Sequence, residues 1–568
     1  MPPDYTVSPP GEERCILENL ARTHRRRASP ARSSAHGEGR GLGNDRDAVH
    51  PAWRPARRRR PSPATIAMQE PLLASALRSA CERHASRTAL TGEGEALSYG
   101  ALLDGAAALA KRLVAAGPVA HEPVLVRCSN HPTDFVAFLG VWMAGALAAP
   151  IHRSAPGDVV RAIQAKARCP IAVDLLAGPR QDIVPQALAA DPDDASRAAR
   201  RRMLEGGALV IFTSGSTGTP KGAVLSHAAF QGKLAQNQRL LQAGADTCTL
   251  LVLNDTFSFG IWVALMTLMQ GGRVETVSRF EPRTFVEVLH DRGITFMGVV
   301  PTMIRSLFGT LDRDALIEAK RRMSAGGRLQ RVVIGGEPLG RQLSAELRDF
   351  IAPAELFDIY GLTETSTCDF VLLPKDYPSH PGSIGKPFDG IRCRVVWADG
   401  GTCAPGATGE LQLQTPYIMS GYLGDDDLTR AAFADGWFLT GDLATSDAEG
   451  FVDIVGRLKE LIFRGGNKIT PLEVELALLR CEGVAGALVT GLPDPILGQR
   501  IHALLVPKPG VRLSAAALRR ALSGHLERFK TPDSFYVGDT LPTGRTGKID
   551  RGQLQARLAD GVLHPLSD

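Results

Sequence analysis

Thr213-Ser214-Gly215-Ser216-Thr217-Gly218-Thr219-Pro220-Lys221-Gly222 is the stretch whose chemistry decides how this chain is read. An apolar run, Ala208-Leu209-Val210-Ile211-Phe212, precedes it and has the character of a buried strand. Ser226 follows, in position to cap a helix. The hydroxyls of Thr213, Ser214, Ser216 and Thr217, three glycines and Lys221 therefore lie between a strand and a helix. Glycines let backbone N–H groups approach an anion, hydroxyls add donors and lysine adds a point charge. The combination suits a polyphosphate. The order Pro220-Lys221-Gly222 departs from the Gly-Lys-Ser/Thr of a P-loop, which disfavours a P-loop ATPase or kinase-like reading. Taken alone, such a loop is also compatible with an ordinary solvated turn.

Outward from this loop, residues from about 70 to 455 alternate β-rich runs with helical patterns. Pro123 to Arg127 precedes a helical pattern at 135–149, and Arg331 to Ile334 is a further strand-like run. This alternation predicts an α/β architecture with largely parallel sheets. Runs at 391–397 and 409–414 predict a barrel-like subdomain. After Gly456 the texture changes. Thr470-Pro471-Leu472-Glu473 has the spacing of a capping box and predicts a helix through about Arg480. Strand-like runs at 485–490 and 500–507, then a helical pattern at 514–528, complete a small α+β domain. The expected division is a leader at 1–67, a large domain at 68–457 and a small C-terminal domain at 458–568.

The leader holds 13 Arg and no Lys against 7 acidic residues, a net of +6. The whole chain carries +5, from 65 basic and 60 acidic residues, so the rest is close to neutral. The basic balance thus gives no reason to expect nucleic-acid binding by the folded body. A segment so rich in Arg, Pro, Ser and Gly does not bury enough apolar surface to fold. It reads as a disordered arm, a targeting peptide or sequence upstream of the working start. The helical pattern that begins just after Met68 (Leu72, Leu73, Ala76, Leu77, Ala80) favours the third. Nine scattered cysteines without a CxxC argue against a disulfide framework or a zinc site and predict a reduced, cytoplasmic setting. Phe135 to Ile151 is apolar, but Gly140, Gly145 and Pro150 make it a buried helix running into a strand rather than an integral membrane span.

The loop does not stand alone. With YGLTET at 360–365, TGD at 440–442, GRLKELIFRGG at 456–466 and PTGRTGK at 542–548, the chain resembles the adenylate-forming superfamily over about 70–555. That superfamily contains acyl-CoA synthetases, luciferases and the adenylation domains of peptide synthetases. The resemblance implies an enzyme that turns a carboxylic acid into an acyl-adenylate at the expense of ATP and Mg2+, on a fold whose small C-terminal domain moves.

The resemblance also implies roles for individual residues. Thr213, Ser214, Gly215, Ser216, Thr217, Gly218 and Lys221 would hold the departing pyrophosphate. Glu364 matches the magnesium ligand and Thr363 an α-phosphate contact. Gly335, Gly336, Glu337, Tyr360 and Gly361 would flank the adenine. Asp442 would accept from the ribose hydroxyls, with Arg457 as a second ribose contact. Lys548 matches the catalytic lysine that neutralises charge as the pentavalent state forms. Lys459 occupies the hinge position, and Gly465 and Gly466 would line the thiol tunnel after the small domain rotates.

For the acyl pocket the resemblance points to the segment 255–262 and to Val299-Val300-Pro301. Phe257, Phe259 and Val300 predict an apolar or aromatic acid, whereas Trp262 reads equally well as core. Gly260 stands where amino-acid-activating members carry an aspartate, so an α-amino acid is disfavoured. Coenzyme A is the expected acceptor, because GRLKELIFRGGNKITPLEVE resembles the acyl-CoA synthetase version of that motif. The alternative acceptor is the phosphopantetheine of an acyl carrier protein acting in trans. A catalytically silent binding protein of the same fold is a third reading, against which the complete set Glu364, Asp442, Arg457 and Lys548 argues.

Overall fold

The structure is a computed structural model that describes residues 71–177, 183–185, 193–213, 220–544 and 549–566. The leader, Ser214 to Thr219 of the Gly/Ser/Thr loop, and Lys548 lie outside the described residues.

Two large sheets form the body. One has nine strands, and its central run, from Glu355–Tyr360 through Arg331–Gly335, Phe296–Val299, Cys248–Leu251 and Arg273–Thr276 to Thr88–Gly92, is wholly parallel. The other has seven, in which Pro123–Cys128 pairs in parallel with Leu147–His152 and Ile171–Val173. Helices Pro132–Met143 and Ser258–Leu268 are buried along nearly their whole lengths. Both belong to a single core that also takes in Val124 and Ala208 from one sheet and Leu251 and Val333 from the other. Their all-round apolarity follows from being packed between sheets. The apolar run at 135–151 is accordingly a helix followed by the strand Leu147–His152. Among the described residues no helix is long and apolar enough to cross a membrane.

A five-stranded antiparallel sheet follows, built from Arg392–Val396, Gly409–Gln414, Phe433–Ala434, Trp437–Ser446 and Val452–Arg457. The small C-terminal domain has its own sheet, in which Val484–Asp494 pairs along its length with Gly498–Pro507. Helices Pro471–Leu478 and Ala515–Leu522 contribute to its separate core.

Local structure departs from expectation in two places. The loop at 213–222 does not lead straight into a helix. Lys221–Ser226 is a strand that returns antiparallel along Gly207–Thr213, and Ser226 then caps His227–Leu241. Ala223, Val224 and Leu225 are fully buried, so this segment satisfies its backbone as an inner strand. Thr470 precedes its helix but makes no side-chain cap. The Glu473 carboxylate that would complete a capping box instead accepts from Lys530 Nζ at 2.7 Å.

Candidate active site

Thr213 ends one strand and Lys221 begins the next, and the two are register partners, so the intervening loop closes at its base. Gly421–Tyr422 pairs with the far edge of the second strand, which sets the buried Tyr422 beside Ala223. Lys221 Nζ lies 5.7 Å from the Tyr422 ring centroid. The Tyr422 hydroxyl donates to Glu364 Oε1 at 2.6 Å. Burial first, then the Glu364 charge, pushes the Tyr422 phenol far above its ordinary range, so it stays a donor. Among the described residues only Oε1 of Glu364 is engaged, which leaves Oε2 able to meet a hard cation.

The turn that carries Thr363 and Glu364 is unusual. After the short helical turn Thr363–Thr365, three successive non-glycine residues, Ser366, Thr367 and Cys368, have φ of 60°, 65° and 62°. Such left-handed backbone is costly for side-chain-bearing residues and persists only where its surroundings fix it. Here they do so from beneath. Lys233 Nζ, fully buried, donates to Cys368 O at 3.0 Å and Asp369 Oδ1 at 2.9 Å, and lies 4.7 Å from the Tyr417 ring centroid. The Thr365 hydroxyl donates to the other Asp369 oxygen. Asp369 N reaches back to Tyr360 O at 2.7 Å, closing the turn on itself. A Cβ at Gly361 would sit 2.1 Å from the Cys368 nitrogen, so only glycine fits the crossing point.

Tyr360 ends its strand with the hydroxyl donating to Asp442 Oδ2 at 2.6 Å. Asp442, 1% exposed, also meets Arg457 Nε at 2.7 Å through Oδ1, and the two residues are register partners on adjacent strands. Burial and the neighbouring Asp442 hold the Tyr360 phenol well above its usual range. Lys459 lies two residues beyond Arg457, in the turn Leu458–Glu460 that leads into the small domain.

Gly335 ends a strand directly beside Ile359 on the strand of Tyr360, and Gly336 turns the chain with φ of 90°. Glu337 then faces two partners, Arg305 Nη1 at 3.4 Å and the Ile549 backbone N–H at 2.7 Å. Ile549, the residue after Lys548 in sequence, thus brings the small domain against the 335–337 segment. Gly465 and Gly466 form the turn between strands Ile462–Arg464 and Asn467–Ile469, with Gly465 N donating to Leu497 O inside the small domain. Among the described residues it is Ile549, not the paired-glycine turn, that carries the hydrogen bond to the 335–337 segment.

Around the expected acyl pocket, Phe257 precedes and Phe259 opens the helix Ser258–Leu268, both half-buried, and Val300 is 3% exposed. Phe259 stacks on Trp262 at 5.5 Å, but Trp262 has no exposed surface and is core. A Cβ at Gly260 would come within 2.5 Å of the Asn254 carbonyl oxygen, so no side chain fits there. Asp255 is fully buried against Asp134, whose carboxylate caps its own helix through the N–H groups of Ser129 and His131. Burial, with Asp134 nearby, drives the Asp255 carboxyl well above the carboxylate range and keeps it protonated.

Several of these residues were not singled out from the sequence. Tyr422 sits in a Gly-Tyr pair that signals little by itself, and Arg305 lies in an unremarkable helix. Lys233 in mid-helix has the look of a solvated lysine.

Known proteins resemble this chain along most of its length. The family model described as AMP-binding enzyme matches residues 77–423, and the AMP-binding enzyme C-terminal domain matches residues 473–548. A sulfoacetate–CoA ligase of Cupriavidus necator is 33% identical over 484 residues, 81% of this chain and 92% of its own. A feruloyl-CoA synthase of an Amycolatopsis species is 30% identical across 83% of this chain and 96% of its own. A fatty acid–acyl-carrier-protein ligase of Streptomyces coeruleorubidus is 34% identical across 61% of this chain and 67% of its own. The fold matches that of an anthranilate CoA ligase solved with anthranoyl-AMP, at a TM-score of 0.73 and 20% identity, covering 86% of this chain and 98% of that one. The chain belongs to the AMP-binding enzyme family.

Proposed function

We propose that this protein is an AMP-forming acid–thiol ligase that activates an apolar or aromatic carboxylic acid as acyl-AMP and passes the acyl group to coenzyme A. The observation that carries the reading is the convergence of two polar assemblies at one turn. Lys221, Tyr422 and Glu364 form one, and Tyr360, Asp442 and Arg457 form the other.

In this reading the carboxylate of the acid attacks the α-phosphate of ATP. A new P–O bond forms, the bond to the β-phosphate breaks, and pyrophosphate leaves. The loop closed by Thr213 and Lys221, with Ser214, Gly215, Ser216, Thr217 and Gly218, holds the leaving group. Glu364 would hold Mg2+, which when bound neutralises phosphate charge. Tyr422 orients that carboxylate, and Thr363 beside it contacts the α-phosphate. Asp442 takes the ribose hydroxyls once they displace its present partners, and Arg457 balances its charge. Gly335, Gly336 and Gly361 allow the adenine to approach backbone beside Tyr360. Lys548 bridges the acid's carboxylate and the ribose. For the second step, rotation about Lys459 would exchange the Lys548 loop for Gly465 and Gly466, beside which the thiol enters.

The named relatives act on sulfoacetate, ferulate and fatty acids, so kinship leaves the acid open and the lining must decide. Phe257, Phe259 and Val300 favour an apolar or aromatic acyl group, and the closed space at Gly260 disfavours an α-ammonium partner. The carrier-protein relative supports a second acceptor, the phosphopantetheine arm of an acyl carrier protein. Pyrophosphate release across aliphatic, aryl and amino acids, with and without coenzyme A, tests both readings. Release with aryl or aliphatic acids and thioester formation on coenzyme A are expected. Thioester on a carrier protein alone would favour the second acceptor, and silence with every acid would leave a binding protein of the same fold.

A further inference from the structure

Two lines of contact meet at Glu337. Oε1 accepts the Ile549 N–H at 2.7 Å across 212 positions of sequence. Oε2 lies 3.4 Å from Arg305 Nη1, and Arg305 Nη2 donates to Pro338 O at 3.2 Å. The Glu337 and Arg305 side chains are 8% and 16% exposed, so this charge is held largely out of water with a partner that offsets the cost.

What Glu337 grips is a rigid part of the small domain. Ile549 forms a bridge with Thr543, and Asp550 N donates to Pro542 O, so Ile549 is tied to the small domain on both sides. Two residues on, the Arg551 guanidinium pairs with Glu475 and lies 3.3 Å from Glu460. Asp550 caps the helix Arg551–Ala559, whose Leu554 is fully buried in the small domain. Holding Ile549 therefore holds the domain, because the segment has little freedom to move alone.

Elsewhere the helix Pro471–Leu478 meets the strand Val452–Arg457, and the helix Pro301–Thr310 meets the strand Val484–Asp494. Leu476 packs beside Gly340, and a cleft of about 1180 Å3 lies along the boundary, walled by Leu339 and Arg341 on one side and Leu472 and Lys530 on the other. Beside such a cleft, a charge-assisted hydrogen bond adds to the docking free energy that packing supplies.

We infer that Glu337 is the latch of domain docking, a positioning residue that holds Ile549, and with it the small domain, for acyl-adenylate formation and lets go before thioester formation. This role is distinct from contact with adenine, and it rests on the two-step reading above. Arg305, itself held by Pro338 O, keeps the carboxylate aimed. The latch biases an equilibrium between two arrangements, so its loss penalises only the step that needs the docked one.

The test uses the full chain with Glu337→Ala, Glu337→Gln and Arg305→Met. Three quantities are read: pyrophosphate release, thioester formation from supplied acyl-adenylate and coenzyme A, and hydrogen exchange at the Ile549 amide. Glu337→Ala is expected to slow pyrophosphate release by about 10–100-fold and to leave thioester formation unchanged. Glu337→Gln, which retains an acceptor oxygen, recovers part of the loss, and Arg305→Met falls between. The Ile549 amide exchanges faster in Glu337→Ala while the helix Arg551–Ala559 keeps its protection. Equal loss in both half-reactions would overturn the latch. So would a raised KM for ATP with unchanged kcat and unchanged Ile549 protection, the pattern of an adenine contact alone. If the wild type released no pyrophosphate with any acid, the proposed function would fail, and the exchange measurement would still decide the latch.

Discussion

Replacing Lys233 by methionine removes the one charge that supports the left-handed turn from below. Lys233 and Asp369 are 1% and 0% exposed, and their 2.9 Å contact is joined by the 3.0 Å bond to Cys368 O and the Tyr417 ring at 4.7 Å. Methionine fills most of the same volume, so the loss is chiefly electrostatic. Asp369 keeps the Thr365 hydroxyl and its charge, with no cation to balance it. Breaking a buried pair from one side costs about 3–5 kcal/mol, and the closeness of these contacts puts Lys233→Met in that range. Neutralising both, as Lys233→Met with Asp369→Asn, removes the stranded charge and should cost far less than the two single changes summed. Urea unfolding followed by tryptophan fluorescence is a suitable assay, because Trp142, Trp262, Trp397 and Trp437 all report on the large domain. Pyrophosphate release should fall in parallel, as Thr363 and Glu364 lose their fixed backbone. A cost below about 1 kcal/mol, the worth of an exposed pair, would refute the reasoning. So would simple additivity of the two substitutions.

Tyr422→Phe removes the hydroxyl that aims Glu364 and should raise the Mg2+ concentration for half-maximal pyrophosphate release by about tenfold, with thioester formation from supplied acyl-adenylate unchanged. An unaltered Mg2+ dependence would separate Tyr422 from the metal site. Asp255→Asn should stabilise the protein at neutral and alkaline pH. The folded carboxyl titrates far above its unfolded range, so wild-type stability is full below about pH 4 and declines as pH rises, whereas asparagine has no proton to lose. Tm compared at mildly acidic and mildly alkaline pH should show a gap that widens upward, and a gap that narrows would contradict the burial argument. Lys548→Ala should abolish acyl-adenylate formation and spare the second half-reaction, and equal loss of both would count against domain alternation.

Much of the candidate site could be proposed from the chain because its parts are short and contiguous. Thr363 and Glu364 fall in one hexapeptide, Asp442 in one tripeptide, and the alternation of strands and helices gave the α/β class. What escaped was what depends on distant partners. Tyr422 matters through a carboxylate 58 positions away, and Lys233 through one 136 positions away. The strand Lys221–Ser226 was hidden because a short apolar run after a glycine-rich loop has no period of its own, and only its pairing with Gly207–Thr213 identifies it. Thr470 shows the opposite failure: the capping pattern is present, but Lys530 claims the glutamate. Local signals predict local contacts, and tertiary partners overrule them where they bind more strongly.

One small contact bears on attempts to retarget this enzyme. The helix of Phe259 begins at Ser258, whose hydroxyl lies 2.6 Å from Thr367 Oγ1, inside the turn that carries Glu364. The helix proposed to line the acyl pocket and the turn proposed to serve the phosphates are thus bolted together at a buried pair of hydroxyls. Pocket grafting that exchanges residues 255–263 wholesale would change turnover along with substrate preference, even for acids that fit. Libraries that vary Phe257 and Phe259 but retain Ser258 would keep recognition and rate as separate design variables.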